Sequence, residues 1–166
     1  MNANLIDDGK TMKYFRSVNL GMAVDTERGL MVPTIHDADL MSLSELCTEA
    51  KRLAKICQEG KATPDMLSGA SFTVSNVGSL YPGMRGELNL LEIISGQVCA
   101  IGISAAQDKP LVVTNEKNEK EIAIRKTLGF CIAFDHRAID FNDIIPFIKH
   151  LDGIFANPEQ VLEWLV

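Results

Sequence analysis

Apolar residues Val18, Leu20, Met22 and Val24 alternate with Asn19, Gly21 and Ala23, the two-residue period of a strand with one buried face. Before it, Asn4 to Asp7 and Lys10 to Arg16 flank Asp8-Gly9, a dipeptide suited to a type I′ hairpin because both central residues need positive φ. After a loop at Asp25 to Gly29, Leu30 to Ile35 reads as a second strand. Pro33, lacking an N–H, belongs at an edge or where pairing ends. The period then changes. Leu43, Leu46, Ala50, Leu53, Ala54 and Cys57 recur at helical spacing, and Ser42-Leu43-Ser44-Glu45 has the form of a capping box. Gly60 is placed to end that helix in a left-handed conformation, leaving Lys51, Arg52 and Lys55 on a solvated face.

Thr63-Pro64 opens a short helical turn, and Ser71 to Val77 reads as a strand, with Phe72, Val74 and Asn76 on one face and Thr73, Ser75 and Val77 on the other. Gly78 marks a bend soon after Ser75. Between Ser79 and Gln97, Pro and Gly signal loop, while Leu88 to Ile94 suits either a short strand or a helical turn and is left unassigned. Val98 to Ile103 is a strand, and Pro110 to Thr114 with Ile122 to Arg125 forms a hairpin around Asn115-Glu116-Lys117-Asn118.

Phe130 to Phe134 is an apolar run ending in Asp135-His136-Arg137, with Asp140 four residues past the histidine. A strand that carries a histidine out of the core holds the imidazole where a general base is useful. Taken alone, His136 reads more readily as an ordinary strand-end residue and Asp140 as the cap of the next helix. That helix carries Ile144, Phe147, Ile148, Leu151, Ile154 and Phe155 as its apolar positions. Pro146 would cost about 3 kcal/mol in a helix interior, which places the cap at Asn142 or Asp143 and leaves Asp140 before the helix. Asn157-Pro158 restarts a short terminal helix. The sum is a mixed α/β layer structure.

Composition narrows the function classes. The 166 residues, 46% hydrophobic, suffice for one core and not for two. A net charge of -6, with no basic cluster beyond two adjacent residues, disfavours nucleic acid as a partner. No apolar run approaches the roughly 18 residues of a membrane span, and the first residues lack the pattern of a signal peptide. Cys47, Cys57, Cys99 and Cys131 show no C-x-x-C spacing and are expected to be buried thiols. Three scattered histidines offer no zinc template, so no metal is expected.

Three blocks then accumulate a likeness: V-N-L-G-M-A-V-D-T-E-R-G-L-M-V-P-T-I-H-D-A-D (Val18 to Asp39), G-A-S-F-T-V-S-N-V-G (Gly69 to Gly78) and F-D-H-R-A-I-D (Phe134 to Asp140). In this order they resemble the catalytic domain of the dihydrolipoamide acyltransferases, the core components of 2-oxo acid dehydrogenase complexes. The resemblance covers essentially the whole chain, weakly between Tyr81 and Gln97. It implies an α/β (α+β) fold similar to chloramphenicol acetyltransferase, a mixed sheet covered by helices. It also implies acyl transfer between dihydrolipoamide and coenzyme A. His136 matches the base, Ser75 the hydroxyl that stabilises the tetrahedral oxyanion, and Asp140 the carboxylate or amide that orients the site; no coenzyme A contacts are assigned. The family's Ser and His meet across a subunit boundary, implying a homotrimer that builds larger cores and works with the complex's dehydrogenase components. The expected compartment is the cytoplasm, or the mitochondrial matrix in a eukaryote.

Three features depart from the family pattern. Phe141 stands where the family has a glycine after the Asp; L-N-L-L-E-I-I-S-G-Q replaces a Pro-rich stretch before Val98; and the family's further N-terminal third is lacking. Residues 1–166 are therefore expected to be a single truncated catalytic domain, with the lipoyl and peripheral-subunit-binding domains absent and the lipoyl group carried on a separate domain. The same departures motivate an alternative, a non-catalytic scaffold subunit that keeps the fold and trimer interface. A free-standing acetyltransferase of the chloramphenicol type is disfavoured by the blocks.

Overall fold

A computed structural model describes residues 1–79, 83, 84, 86, 87 and 91–165, with only the backbone of Ser79 and Leu165. The expected N-terminal hairpin pairs β1 (Ala3–Ile6) with β2 (Thr11–Tyr14). Its turn is longer than expected: Ile6 pairs with Thr11, and Asp7, Asp8 and Gly9 have φ of 52°, 54° and 80°. Lys10 N–H donates to Asp7 O (3.1 Å) and closes the expected turn about Asp8-Gly9, and Gly9 N–H donates to Ile6 O (3.1 Å) and closes a second, overlapping turn about Asp7-Asp8. Aspartates tolerate this left-handed region better than most side chains, which is why the second turn is possible.

The alternating segment from Val18 divides at Ala23 into β3 (Leu20–Met22) and β4 (Val24–Thr26), because β4 turns back to pair with β5 (Gly29–Met31). The return strand divides likewise, with Pro33 in the gap before β6 (Thr34–Ile35) at the sheet edge. Helix α1 (Leu43–Gln58) starts at the expected capping box: Glu45 N–H donates to Ser42 Oγ (3.3 Å), and Ser42 N–H to Glu45 Oε2 (2.8 Å). Gly60 follows it with φ of 67°. A 3-10 turn at Pro64–Leu67 leads to β7 (Phe72–Asn76), after which Val77 leaves the strand in a second 3-10 turn.

Of the unassigned region, Leu88 to Leu90 lie outside the described residues, and residues 91–94 form neither helix nor strand. Then come β8 (Cys99–Ile103) and the hairpin of β9 (Gln107–Thr114) and β10 (Lys120–Thr127), longer than the apolar pattern suggested. β11 (Phe130–Phe134) and α2 (Phe141–Ala156) follow, and Pro158–Leu165 is a 3-10 helix. No helix among the described residues is long and apolar enough to cross a membrane.

Five strands form one mixed sheet in the order β11-β8-β7-β3-β6, with β3-β7 and β7-β8 parallel and the outer pairs antiparallel. One face is covered by helices. Ile35 and Ala38 pack with Leu53 of α1, while Phe147 and Phe155 of α2 meet Phe72 and Phe130 at ring separations of 6.1 and 5.9 Å. Leu53 is fully buried, which contributes about 1.5–3 kcal/mol through removal from water. Strand register puts Gly21, Thr73, Ser75, Ala100, Gly102, Cys131 and Ala133 on the other face, all small. The fit is close there: a Cβ at Gly21 would lie 2.6 Å from Thr73 Oγ1.

Candidate active site

β11 delivers its chain out of the sheet at Asp135, whose N–H still donates to Val98 O (2.8 Å) and prolongs the pairing by one step. The next residue, His136, carries a largely exposed imidazole, tilted against the Phe134 ring at 5.0 Å between centroids. The chain then turns sharply, with Ala138 and Ile139 N–H both donating to Asp135 O (2.9 and 3.2 Å). This turn returns Asp140 to the histidine, and His136 Nδ1 lies 3.1 Å from Asp140 Oδ1. A carboxylate that faces Nδ1 at this distance favours the proton on that nitrogen and leaves Nε2 as the one turned to other partners.

Asp140 is also the N-cap of α2, which corrects the expectation of a cap at Asn142 or Asp143. Its N–H donates to Asp143 Oδ2 (2.8 Å), while its own carboxylate faces His136. The helix therefore starts earlier, and Pro146 sits at the sixth helical position rather than the third. Pro146 and Asn142 are both exposed, so water can reach the Asn142 carbonyl that lacks its usual helical partner.

Ser75 is placed on β7 on the small-residue face, level with Gly102 of β8 and Cys131 of β11. From Cys131 the chain runs four residues to Asp135, and β11 is two strands from β7. At about 3.3 Å per residue and 4.8 Å per strand, Ser75 and the start of the His136 turn are roughly 16 Å apart. Thus the structure brings His136 and Asp140 together and leaves Ser75 near the opposite end of the same sheet. The His136 and Asp140 side chains are 70% and 77% exposed, so one chain alone does not exclude water from the pair.

The whole of residues 1–163 matches the family described as 2-oxoacid dehydrogenases acyltransferase (catalytic domain). The chain belongs to this family. It is 35% identical over 153 residues to the dihydrolipoyllysine-residue acetyltransferase component of the pyruvate dehydrogenase complex of Mycobacterium bovis, covering 90% of this chain and 27% of that protein. Similarity to the dihydrolipoyllysine-residue succinyltransferase component of the 2-oxoglutarate dehydrogenase complex of Bartonella vinsonii is 32% identity, over 93% of this chain and 36% of the relative. Among solved structures, dihydrolipoamide acetyltransferase of Azotobacter vinelandii superposes with a TM-score of 0.79 at 31% identity, covering 97% of this chain and 63% of that one. A serine, a histidine and an asparagine have been investigated for their roles in the catalytic mechanism of that enzyme. The mixed sheet with helices is thus the fold of acyltransferase catalytic cores, as the sequence blocks implied.

In this acyltransferase-family chain the cysteines are free thiols, but they are not uniformly buried as expected: Cys47 is exposed on α1 and Cys131 partly so. Burial pushes the Cys99 thiol up to about 11, so it stays protonated and inert at neutral pH. Asp135 and Arg137, to which the sequence pattern assigns no role, form the most extensively bonded ion pair near His136. Arg137 Nε reaches both carboxylate oxygens (3.0 and 3.1 Å), and Nη2 donates to Oδ2 at 2.6 Å. The visible signal was an Asp and an Arg flanking one residue, a spacing that lets a backbone and a side-chain bond form together.

Proposed function

We propose that this chain is an acyltransferase domain that moves an acyl group between dihydrolipoamide and coenzyme A, with His136 as the general base. The approach of Asp140 Oδ1 to His136 Nδ1 supports this reading, because a carboxylate there favours the tautomer whose Nε2 accepts a proton. His136 Nε2 takes the proton of the attacking thiol, which turns it into the more nucleophilic thiolate. The thiolate sulfur bonds to the thioester carbonyl carbon, and the Ser75 hydroxyl donates to the resulting oxyanion. Collapse breaks the original C–S bond, and the proton held by His136 passes to the departing sulfur. The serine and histidine of the Azotobacter enzyme support Ser75 and His136 in these roles, with Asp140 in place of its asparagine.

The roughly 16 Å between Ser75 and the His136 turn supports a site completed by a second copy, as in a trimer. The β9-β10 hairpin supports self-association independently. It forms its own two-stranded sheet, and Val112, Ile122 and Ile124 on one face are 67%, 77% and 73% exposed. That the relatives are components of multienzyme complexes supports larger cores and dehydrogenase partners. The acyl group is left open, since the acetyl- and succinyltransferase relatives are similarly distant.

The test is replacement of His136 with Ala in the full chain. Acyl transfer from acyl-dihydrolipoamide to coenzyme A is expected to fall about 100- to 10,000-fold, the usual range for loss of a positioned base. Turnover unchanged from the parent would sink the proposal.

A further inference from the structure

We propose that Asp135, held by Arg137, is a positioning residue that sets the imidazole of His136; this rests on reading His136 as the base. The Asp135 side chain is only 18% exposed, although it belongs to a surface turn. Its backbone ties the turn to the sheet through Val98, and its carbonyl receives two N–H groups that bring Asp140 round to the histidine. Its carboxylate acts on His136 more directly. Oδ1 accepts from Arg137 N–H at 2.9 Å, closing a ring across the single residue between them. That residue is His136. An Asx turn of this kind restrains the backbone on both sides of the enclosed residue.

Arg137 keeps the carboxylate in that orientation. Its Nε and Nη2 grip Asp135 as a fork, a geometry that the single ammonium of lysine cannot copy. The guanidinium, and next the Arg137 backbone N–H, hold the Asp135 carboxyl below the usual carboxylate range, so the pair stays ionised at neutral pH. The remaining nitrogen, Nη1, faces the β1-β2 turn: a Cβ at Gly9 would lie 3.1 Å from it. Asp7, Asp8, Gly9, Asp135 and Arg137 thus share the lining of one cleft of about 460 Å³. The hairpin turn with three successive positive φ values packs against the clamp, and Gly9 leaves the space that Arg137 needs. Arg137 is itself 69% exposed, so the ion pair adds little to global stability. What it controls is local: the orientation of the residue it encloses.

Asp135→Ala and Asp135→Asn separate this role from charge alone, since asparagine keeps the Oδ1 acceptor of the turn. In Asp135→Ala, kcat is expected to fall on the order of 100-fold, the scale of a misplacement near 1 Å, with KM changed by less than about twofold. Asp135→Asn should recover most of that loss. Nitrogen NMR of the His136 ring gives a readout independent of turnover: the Nδ1–H form should dominate in the parent and in Asp135→Asn, and lose its dominance in Asp135→Ala. If Asp135→Ala does not fold, Arg137→Met carries the test, with the same ring signals and a smaller fall in kcat. Parent-like kcat and ring signals in Asp135→Ala, or in Arg137→Met where that carries the test, would overturn the proposal, as would equal impairment of Asp135→Ala and Asp135→Asn. Full activity in His136→Ala would instead remove the base assignment, while the ring signals would still report whether Asp135 sets the imidazole.

Discussion

At the scale of single residues, His136 and Asp140 lie four positions apart across one turn, and Phe141 begins α2 immediately after it. Its ring is 55% exposed beside the polar His136-Asp140 pair, an uncommon setting for a phenylalanine. The family pattern that the sequence resembles has glycine at this position, and the larger ring is expected to narrow the approach to His136. Phe141→Gly is therefore expected to raise kcat/KM for bulky acyl thioesters, on the order of 10-fold if the ring blocks a pocket by a few methylene equivalents. A decrease measured in the same acyl-transfer assay would mean that the ring forms part of the channel wall. The identity of Phe141 was plain in the sequence, as were His136 and Asp140. The double use of Asp140 was not, because three capping candidates lie within four residues and only the turn after β11 selects among them.

Elements differ in how locally they are determined. The start of α1 was legible because Ser42 and Glu45 satisfy each other's backbone N–H groups without distant help. Ser42→Ala should cost about 1 kcal/mol, read as a lower denaturation midpoint at unchanged m-value. Glu45 adds a pH dependence. First the backbone N–H of Ser42 and then its hydroxyl hold the Glu45 carboxyl below its ordinary value of 4.5. The folded-state value is depressed, so the associated stability is present above pH 4.5 and is lost as pH falls through the folded-state value. Because the backbone bond is the larger cause, acid titrations of Ser42→Ala should retain most of this loss. β3 and β4 were less legible. Their continuous alternation looks like one strand, and the break at Ala23 exists because β3 joins the main sheet while β4 pairs with β5.

For the whole molecule, the decisive quantity is the distance between Ser75 and His136. A site shared between copies predicts complementation: Ser75→Ala and His136→Ala assemblies should each be impaired at least about 100-fold, and subunits mixed by dissociation and reassembly should regain activity. Every trimer that mixes the two variants contains one parental pairing of Ser75 with His136, so roughly a quarter of parental turnover is expected from random assembly. No recovery in mixed assemblies of confirmed composition would place both groups within one chain. The sequence by itself determined the periods of the strands and helices, the α1 cap and the three residue blocks that carry the family likeness, since each depends on neighbours within a few positions. Only the tertiary structure decided that Ser75 and His136 stand near opposite ends of one sheet, that Asp140 serves both helix and histidine, and that Asp135 and Arg137 enclose His136. Strand order and register fix those distances, and both arise from pairing between segments far apart in the chain, which a local pattern does not encode.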